Sequence, residues 1–528
     1  MPDFVDTAER IVDALLESDP RLASYVGDHR YDDRLPDLSP GAVAERVTML
    51  REAADALAGI DPDAFDAEEQ VDHAILSARV ERGLFELTDV REHEWNPLLH
   101  NPGGLLHGLI ARPFAPLPER LASLGGRLAA IPDALATARA VLRDMPRIHV
   151  ETAIGQFAGV ARLIEGQVPG LLDQEPALRA AVEPAAAAAT AALAEFGDWL
   201  RTRLDVPGRD PRLGRRLWEA RLWHTLDTEL PAAEVLSRAR RNVEAAGAEL
   251  RELAAGGSVR EALARLADDH PDGDTIVGLA RVSLDEATAF VRDHDLLTLV
   301  DDPLVIEEMP EFARGVAVAY CDSPGAFEPA GLPTFYCIAP APGDWSPERA
   351  ESLYREYNDH MVRNLTVHEA MPGHFLQIAH ARRFRGRTRV RAIGGSGPFV
   401  EGWAVYAEEL MAGLGFGGLP VRMQQLKMQL RTSLNAVLDQ LVHCEDLSEA
   451  EAMALMTDVG FQEAGEAAGK WRRALLTSTQ LSTYFVGYTE IAAIAAARPF
   501  GATPKAWHDA MLAHGSPPPR HLRTLLGV

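Results

Sequence analysis

His368, Glu369 and His374 stand in the heptapeptide His-Glu-Ala-Met-Pro-Gly-His, and Glu401 follows thirty-three residues after the first histidine. Two neutral imidazoles and one carboxylate are a ligand set for catalytic zinc, which keeps a fourth position open for water. A glutamate beside one of those histidines, itself not a ligand, stands where a zinc hydrolase keeps its general base. These residue types predict a zinc-dependent peptidase or amidase, with Zn2+ on His368, His374 and a carboxylate, and Glu369 as base. Spacing alone does not choose the carboxylate. Glu401 and Glu408 are seven apart and share a helical face, so either can look at the metal while the other orients a histidine. Glu409 reads as solvated, and Trp403 and Tyr406 read as packing. The same ligand set also suits iron, and Glu369 beside it tips the choice to zinc.

The two histidines need an unusual backbone between them. In His-Glu-x-x-His they are four apart, about 40° from alignment on a helix turning about 100° per residue. Here they are six apart, about 240° around a regular helix by the same arithmetic, which points His374 away from the metal. Pro372 and Gly373 are the residues that undo a regular helix. Proline removes the hydrogen bond to the carbonyl of His368 and its ring forces a kink; glycine accepts the dihedrals the bend requires. A kinked or bulged helix that returns His374 to the side of His368 is therefore expected.

With these motifs the chain resembles the bacterial family called domain of unknown function 885, whose members look like gluzincin-type metallopeptidases. The family's His-Glu-x-x-Pro-Gly-His-x-x-Gln is matched at His368, Glu369, Pro372, Gly373, His374 and Gln377. Its Glu-Gly-Trp-Ala-x-Tyr-x-Glu-x-Leu is matched at Glu401, Gly402, Trp403, Ala404, Tyr406, Glu408 and Leu410. Later segments resemble it at Arg431, Asp439 and His443, and at Gln480, Tyr484 and Gly487. Weaker likeness in Asp28 to Pro40 and in Trp95-Asn96-Pro97 extends it over most of the chain. The chain departs from the family at Phe375, where many relatives have a further histidine, and at Leu441, Ala474, Ser478 and Thr479. Those changes leave the metal residues intact and bear on the substrate.

The resemblance implies Glu401 as the third ligand. It also implies Tyr484 and His443 as donors to the tetrahedral oxyanion, with Asp439 fixing the tautomer of His443. Each of these two side chains reads equally well as a satisfied core residue. Arg431 or Arg473 is available to clamp a terminal carboxylate, or to make an ordinary ion pair. In the expected reaction Glu369 takes a proton from water whose pKa zinc lowers to about 7, from about 15.7 in bulk, and passes it to the leaving amine. A deep cleft between helical lobes, as in other helical gluzincins, implies a short peptide as substrate. Two other readings share the residues: a specialised hydrolase of a modified peptide or amide in secondary metabolism, and a binding protein without catalysis. Glu369 argues against the last, since binding needs no base.

Other histidines offer no second cluster. His93, His100 and His107 are seven apart, but Pro97, Pro102, Gly103 and Gly104 interrupt any helix there. Gly394-Gly395-Ser396-Gly397 lacks a phosphate-loop lysine and reads as a connection between helices, with no partnership that makes Ser396 a nucleophile. The formal net charge of −26 makes nucleic acid and anionic membrane unlikely partners by like-charge repulsion. Three cysteines, Cys321, Cys337 and Cys444, have no zinc spacing and no disulfide framework. The start Met-Pro-Asp-Phe-Val-Asp-Thr-Ala-Glu lacks the basic and apolar regions of a signal peptide, and no apolar run reaches membrane-spanning length. A cytoplasmic protein is expected; the oligomeric state is left open.

Apolar periodicity predicts helices over 5–18, 43–58, 66–88, 117–143, 150–167, 175–204, 211–225, 232–255, 258–268 and 275–294, and again from Pro347 nearly to the end. Leu297–Val300, Gly315–Tyr320 and Thr334–Ile338 read as short strands between turn residues, forming a small antiparallel sheet just ahead of the metal helix. Its edge is suited to holding an extended peptide. The expected fold is mostly α, a two-lobed metallopeptidase-like structure with lobes 1–297 and 298–528 of one integrated molecule.

Overall fold

Several helices begin where a capping side chain precedes an apolar repeat. Asp66 accepts the amide of Glu69 and starts Ala67–Phe85, which buries Val71, Ile75, Leu76 and Val80 on one face. Ser448 and Glu451 form a reciprocal capping box ahead of Glu449–Ala454. These features appear in a computed structural model that describes residues 4–309, 318–343 and 345–528. The expected N-terminal helices fall at Phe4–Ser18, Pro40–Ala58, Ala67–Phe85, Leu117–Val141, Arg147–Gln174, Arg179–Arg201, Arg215–Leu226, Ala232–Leu253, Val259–Leu266 and Ile276–Asp293. One runs longer than periodicity indicates: Arg147–Gln174 continues through Pro169, because Val168 and Leu172 on either side are buried in the same cluster as Phe157. Tertiary packing there outweighs the local cost of proline.

Three short strands follow: β1 (Leu304–Glu308), β2 (Ala319–Asp322) and β3 (Thr334–Ile338), in the order β1-β3-β2. β3 lies where it was expected. The sheet is mixed rather than antiparallel, because β1 runs parallel to β3 (Leu304 opposite Thr334) while β2 runs antiparallel to it (Ala319 opposite Ile338). Period-two patterning marks a strand without fixing its direction, which explains the difference. Leu297–Val300 is not a strand. The backbone N–H and hydroxyl of Thr298 both donate to the carboxylate of Asp509, which ties this stretch to a C-terminal helix, and the strand forms after Pro303 instead. Of the expected strand Gly315–Tyr320, residues 315–317 lie outside the described residues.

The sheet rests against the helices that carry the histidines. Tyr336 of β3 meets Thr366 at 3.2 Å between hydroxyls, and β2 lies beside the same helix. A large apolar cluster surrounds this region, from Ile276 and Ala280 through Met371, Phe375, Phe399 and Trp403 to Leu522. A second holds the helices between 106 and 200. Two others join distant segments: Phe4 to Val80 with Val390 and Ile393, and Phe85, Trp95 and Trp218 with Val405, Val437 and Phe485. Residues before and after 297 thus share cores. Among the described residues, no helix is long and apolar enough to cross a membrane.

Candidate metal centre

Asn358 accepts the amides of His360 and Met361 and starts the helix Asp359–Glu369, which ends immediately after His368. The expected kink is a complete break. Ala370 to Gly373 leave the helix, the Met371–Pro372 peptide is cis, and a second helix, His374–Ala381, begins at the second histidine. Glycine is required at 373, where the N–H donates to Val367 O. A Cβ there would stand 1.9 Å from the carbonyl oxygen of His368 and 2.3 Å from that of Val367. This backbone crossing turns His374 toward His368, with ring centroids 4.7 Å apart at 85°.

A third helix, Gly397–Gly413, supplies the carboxylate. Ser396 caps it by accepting the amide of Phe399, which is the role of that serine. Trp403 donates its indole N–H to Pro372 O at 2.8 Å, so the glutamate helix itself clamps the break between the histidine helices. Gly402 permits close approach of the helix Gln480–Ala496, since a Cβ on Gly402 would lie 2.3 Å from the Gly487 carbonyl carbon.

These elements bring Nε2 of His368 and Nε2 of His374 each to 3.5 Å from Oε2 of Glu401. The three ligand atoms all lie within 4.8 Å of one another. Two ligands about 2.0–2.1 Å from a tetrahedral zinc stand about 3.3–3.4 Å apart, so the observed spacing suits such an ion. Glu401 Oε2 is buried and among the buried side-chain atoms without a hydrogen-bond partner, which also fits a donor atom gathered for a cation. Glu408 is not part of this triangle. Its Oε1 accepts from His368 Nδ1 at 2.6 Å and its Oε2 from Asn364 at 2.5 Å, which fixes Nε2 of His368 as the ligand atom. The side chains of His368, His374 and Glu401 remain 14, 11 and 24 % exposed, enough for water to reach them.

The charges are strongly coupled. Burial opposes ionisation of Glu401, but both imidazoles hold its carboxyl well below the usual range. Burial likewise opposes charge on His368, and Glu401 and Glu408 raise its pKa well above the ordinary value. Glu369 is buried beside them, and among the described residues its carboxylate makes no hydrogen bond. Burial pushes its pKa up; the imidazoles pull against this and Glu401 and Glu408 add to it. Glu369 also adds to the burial that pushes the Cys321 thiol of β2 up to about 12, which places the edge strand next to this glutamate.

The residues expected to donate to the oxyanion are differently placed. His443 is buried with both nitrogens engaged by backbone: Nδ1 accepts from Leu213 N, and Nε2 faces Ala474 O and Thr477 O at 3.0 and 2.9 Å. No donor is left for a substrate, and burial lowers its pKa. Nor does Asp439 fix its tautomer. Its carboxylate accepts from Trp218 Nε1, the amides of Thr479 and Ser482, and the Ser482 hydroxyl, and so caps the helix Gln480–Ala496 from outside. Tyr484 is half-buried, with its oxygen 3.2 Å from Arg473 Nη2. Arg431 pairs with Glu466 and reaches the Tyr357 hydroxyl at 3.2 Å. Tyr488 takes Glu409 through its hydroxyl at 2.8 Å, and Tyr406 bonds His508. Of the other histidines, His100 turns Nε2 to the carbonyl of His93 and borders a cavity of about 220 Å³ whose lining contains none of the metal residues. Two helpers escaped the sequence reading, Asn364 and the indole of Trp403. Asn364 sits one turn before His368 on the same face, a spacing that was there to be used.

The model of a family described as "Bacterial protein of unknown function (DUF885)" matches residues 20–526. The chain belongs to this family. Two solved structures are similar to this DUF885 chain over essentially its whole length. A "putative lipoprotein of unknown function" from Shewanella oneidensis is 27 % identical, with a TM-score of 0.85 and full coverage of both chains. A "putative lipoprotein" from Colwellia psychrerythraea is 16 % identical, with a TM-score of 0.82 over 99 % of this chain and 98 % of that one; it shares the fold. No curated protein sequence matches.

Proposed function

We propose that this DUF885 protein is a zinc-dependent hydrolase that cleaves an amide bond of a short peptide. The observation that carries the reading is the convergence of His368 Nε2, His374 Nε2 and Glu401 Oε2, with Glu369 buried beside them. We propose likewise that the protein is of the gluzincin type and holds its substrate in a cleft between two lobes.

His368, His374 and Glu401 would hold the zinc, which would supply a Lewis acid and lower the pKa of water. Glu408, through His368 Nδ1, keeps that ring in the tautomer whose Nε2 has its lone pair free. Glu369 accepts a proton from water at its carboxylate and returns it to the leaving amine nitrogen. Tyr484 is the half-buried donor we assign to the substrate, whereas His443 serves the fold.

The test is digestion of a mixed peptide pool by zinc-supplemented protein, read by mass spectrometry, with Glu369→Gln alongside. Cleavage by wild type, reduced about 10²–10⁴-fold in Glu369→Gln at unchanged zinc content, is the expected result. A zinc-loaded protein that cuts no plain peptide but does cut an N-acyl or modified amide moves the substrate to that class. Equal cleavage by both proteins rules out Glu369 as the base.

A further inference from the structure

The helix Ala464–Leu476 packs against the helix Gly418–Cys444, and the two collect buried cations. Lys427 Nζ lies 2.8 Å from Glu356, and Arg431 pairs with Glu466. Lys470, one turn past Glu466 and 3.9 Å from it, is buried. Arg473 follows three residues later on the same helix. Lys427, Arg431, Lys470 and Arg473 therefore outnumber the carboxylates Glu356 and Glu466 that face them, in a chain whose formal net charge is −26. Burial first, then Arg431, pushes the Lys470 ammonium well below its ordinary value, against the pull of Glu466.

Arg473 is the member whose hydrogen bonds, among the described residues, reach no carboxylate, although Glu466 is near enough to feel its charge. Its Nη2 donates to Gln480 Oε1 at 2.8 Å and to the Tyr484 oxygen at 3.2 Å, both neutral groups. Among the described residues, its Nε and Nη1 make no hydrogen bond. The Tyr484 oxygen also faces Gln480 Nε2 at 3.5 Å, so the tyrosine oxygen accepts and its own O–H is unspent. Both side chains are half-buried, which leaves these donors within reach of a ligand. An arginine that spends its donors on neutral partners within a cluster of cations is matched to an incoming carboxylate.

The place of this pair is set by a helix crossing. A Cβ on Gly397 would meet Thr483 at 3.3 Å, and Gly402 and Gly487 meet backbone to backbone. Glu401 lies between Gly397 and Gly402 on one helix, and Tyr484 between Thr483 and Gly487 on the other. The crossing that presents Glu401 to the histidines thus also carries Tyr484 and, through it, Arg473.

We propose that Arg473, with the Tyr484 hydroxyl, binds the free C-terminal carboxylate of the peptide substrate, so that cleavage is measured from the C-terminal end. This deepens the zinc-hydrolase reading and rests on it. A carboxylate on an acidic side chain has the same chemistry, and the experiment separates the two.

Randomised tetrapeptides are offered as two pools, free acids and C-terminal amides, to zinc-supplemented wild type, Arg473→Gln and Arg473→Lys, with zinc content and circular dichroism checked for each. The free-acid pool is expected to be cut about 10–100-fold faster than the amides, the worth of a charge-assisted hydrogen bond. Arg473→Gln should remove that advantage mainly through KM, lowering the free-acid rate more than the amide rate, and Arg473→Lys should restore part of it. Equal rates on both pools, or an equal loss on both in Arg473→Gln, overturns the proposal. A preference that follows Asp and Glu side chains regardless of the C-terminus overturns it in favour of the acidic side chain. If neither pool is cut, the peptidase reading fails, and thermal shift with the same pools judges the subsite alone. Stabilisation by the acids that vanishes in Arg473→Gln sustains it, and no difference between acids and amides overturns it.

Discussion

At the scale of single residues, the metal triangle depends on one imidazole held from both sides. Glu408 grips His368 Nδ1 at 2.6 Å while Nε2 faces Glu401 at 3.5 Å. Glu408→Gln should weaken zinc binding by about 10–100-fold without removing a ligand, which competition against a coloured chelator would measure. An unchanged affinity would mean that Glu408 only shields the ring. His443 gives the opposite expectation. Its contacts are Leu213 N and the carbonyls of Ala474 and Thr477, so His443→Phe should cost about 1–3 kcal/mol of stability through groups left unpaired and leave zinc stoichiometry as it is. A folded variant that loses its zinc would return His443 to the site.

At the scale of elements, the break between the histidine helices carries the geometry. Gly373→Ala forces a Cβ toward the His368 carbonyl at 1.9 Å. It should cost at least about 1–3 kcal/mol and lower zinc affinity together with melting temperature. Trp403→Phe removes one hydrogen bond to Pro372, about 0.5–1.5 kcal/mol, and should weaken zinc binding with little change in helix content. Titrations of each variant with zinc and thermal melts check both, and a Gly373→Ala protein as stable and as zinc-avid as wild type would contradict the crossing.

Much of this was legible in the sequence. The helices were marked by caps and apolar periods, and the Pro-Gly insertion announced that the histidines could not share a regular helix. Local signals stop there. The helix breaks outright because Trp403 reaches Pro372 from another helix, and β1 runs parallel to β3 for reasons of layout that alternation does not encode. The sequence left His443 open between donor and core residue because its partner Leu213 lies 230 residues away. Glu401 and Glu408 shared a face, so spacing left ligand and orienter open; the family resemblance favoured Glu401, and the distances to the two imidazoles agree with it.

At the scale of the whole molecule, the N-terminal segment is tied to the loop between β2 and β3 by a histidine. His29 sits between Asp32, at 2.7 Å, and Glu328, at 3.0 Å, stacked on Phe114. Burial works against its charge, but the two carboxylates raise its pKa to about 9 from 6.5. A pKa higher in the folded state than in the unfolded one gives stability that is full below about pH 6.5 and is lost as pH rises through about 9. Thermal melts between pH 6 and 10 should therefore show a fall in wild type that is shallower in His29→Gln. Parallel curves would mean that the bridge contributes nothing, as many exposed pairs do not.

The central claim, that His368, His374 and Glu401 form a zinc site, is most directly tested by metal content. Wild type, Glu369→Gln, His374→Ala and Glu401→Gln would be purified in parallel, supplied with zinc, desalted and analysed by elemental mass spectrometry, with circular dichroism to verify folding. The account expects about one zinc per chain in wild type and Glu369→Gln, and loss of tight zinc in folded His374→Ala and Glu401→Gln. Wild type without zinc, or a full complement of zinc in either ligand variant, would contradict it.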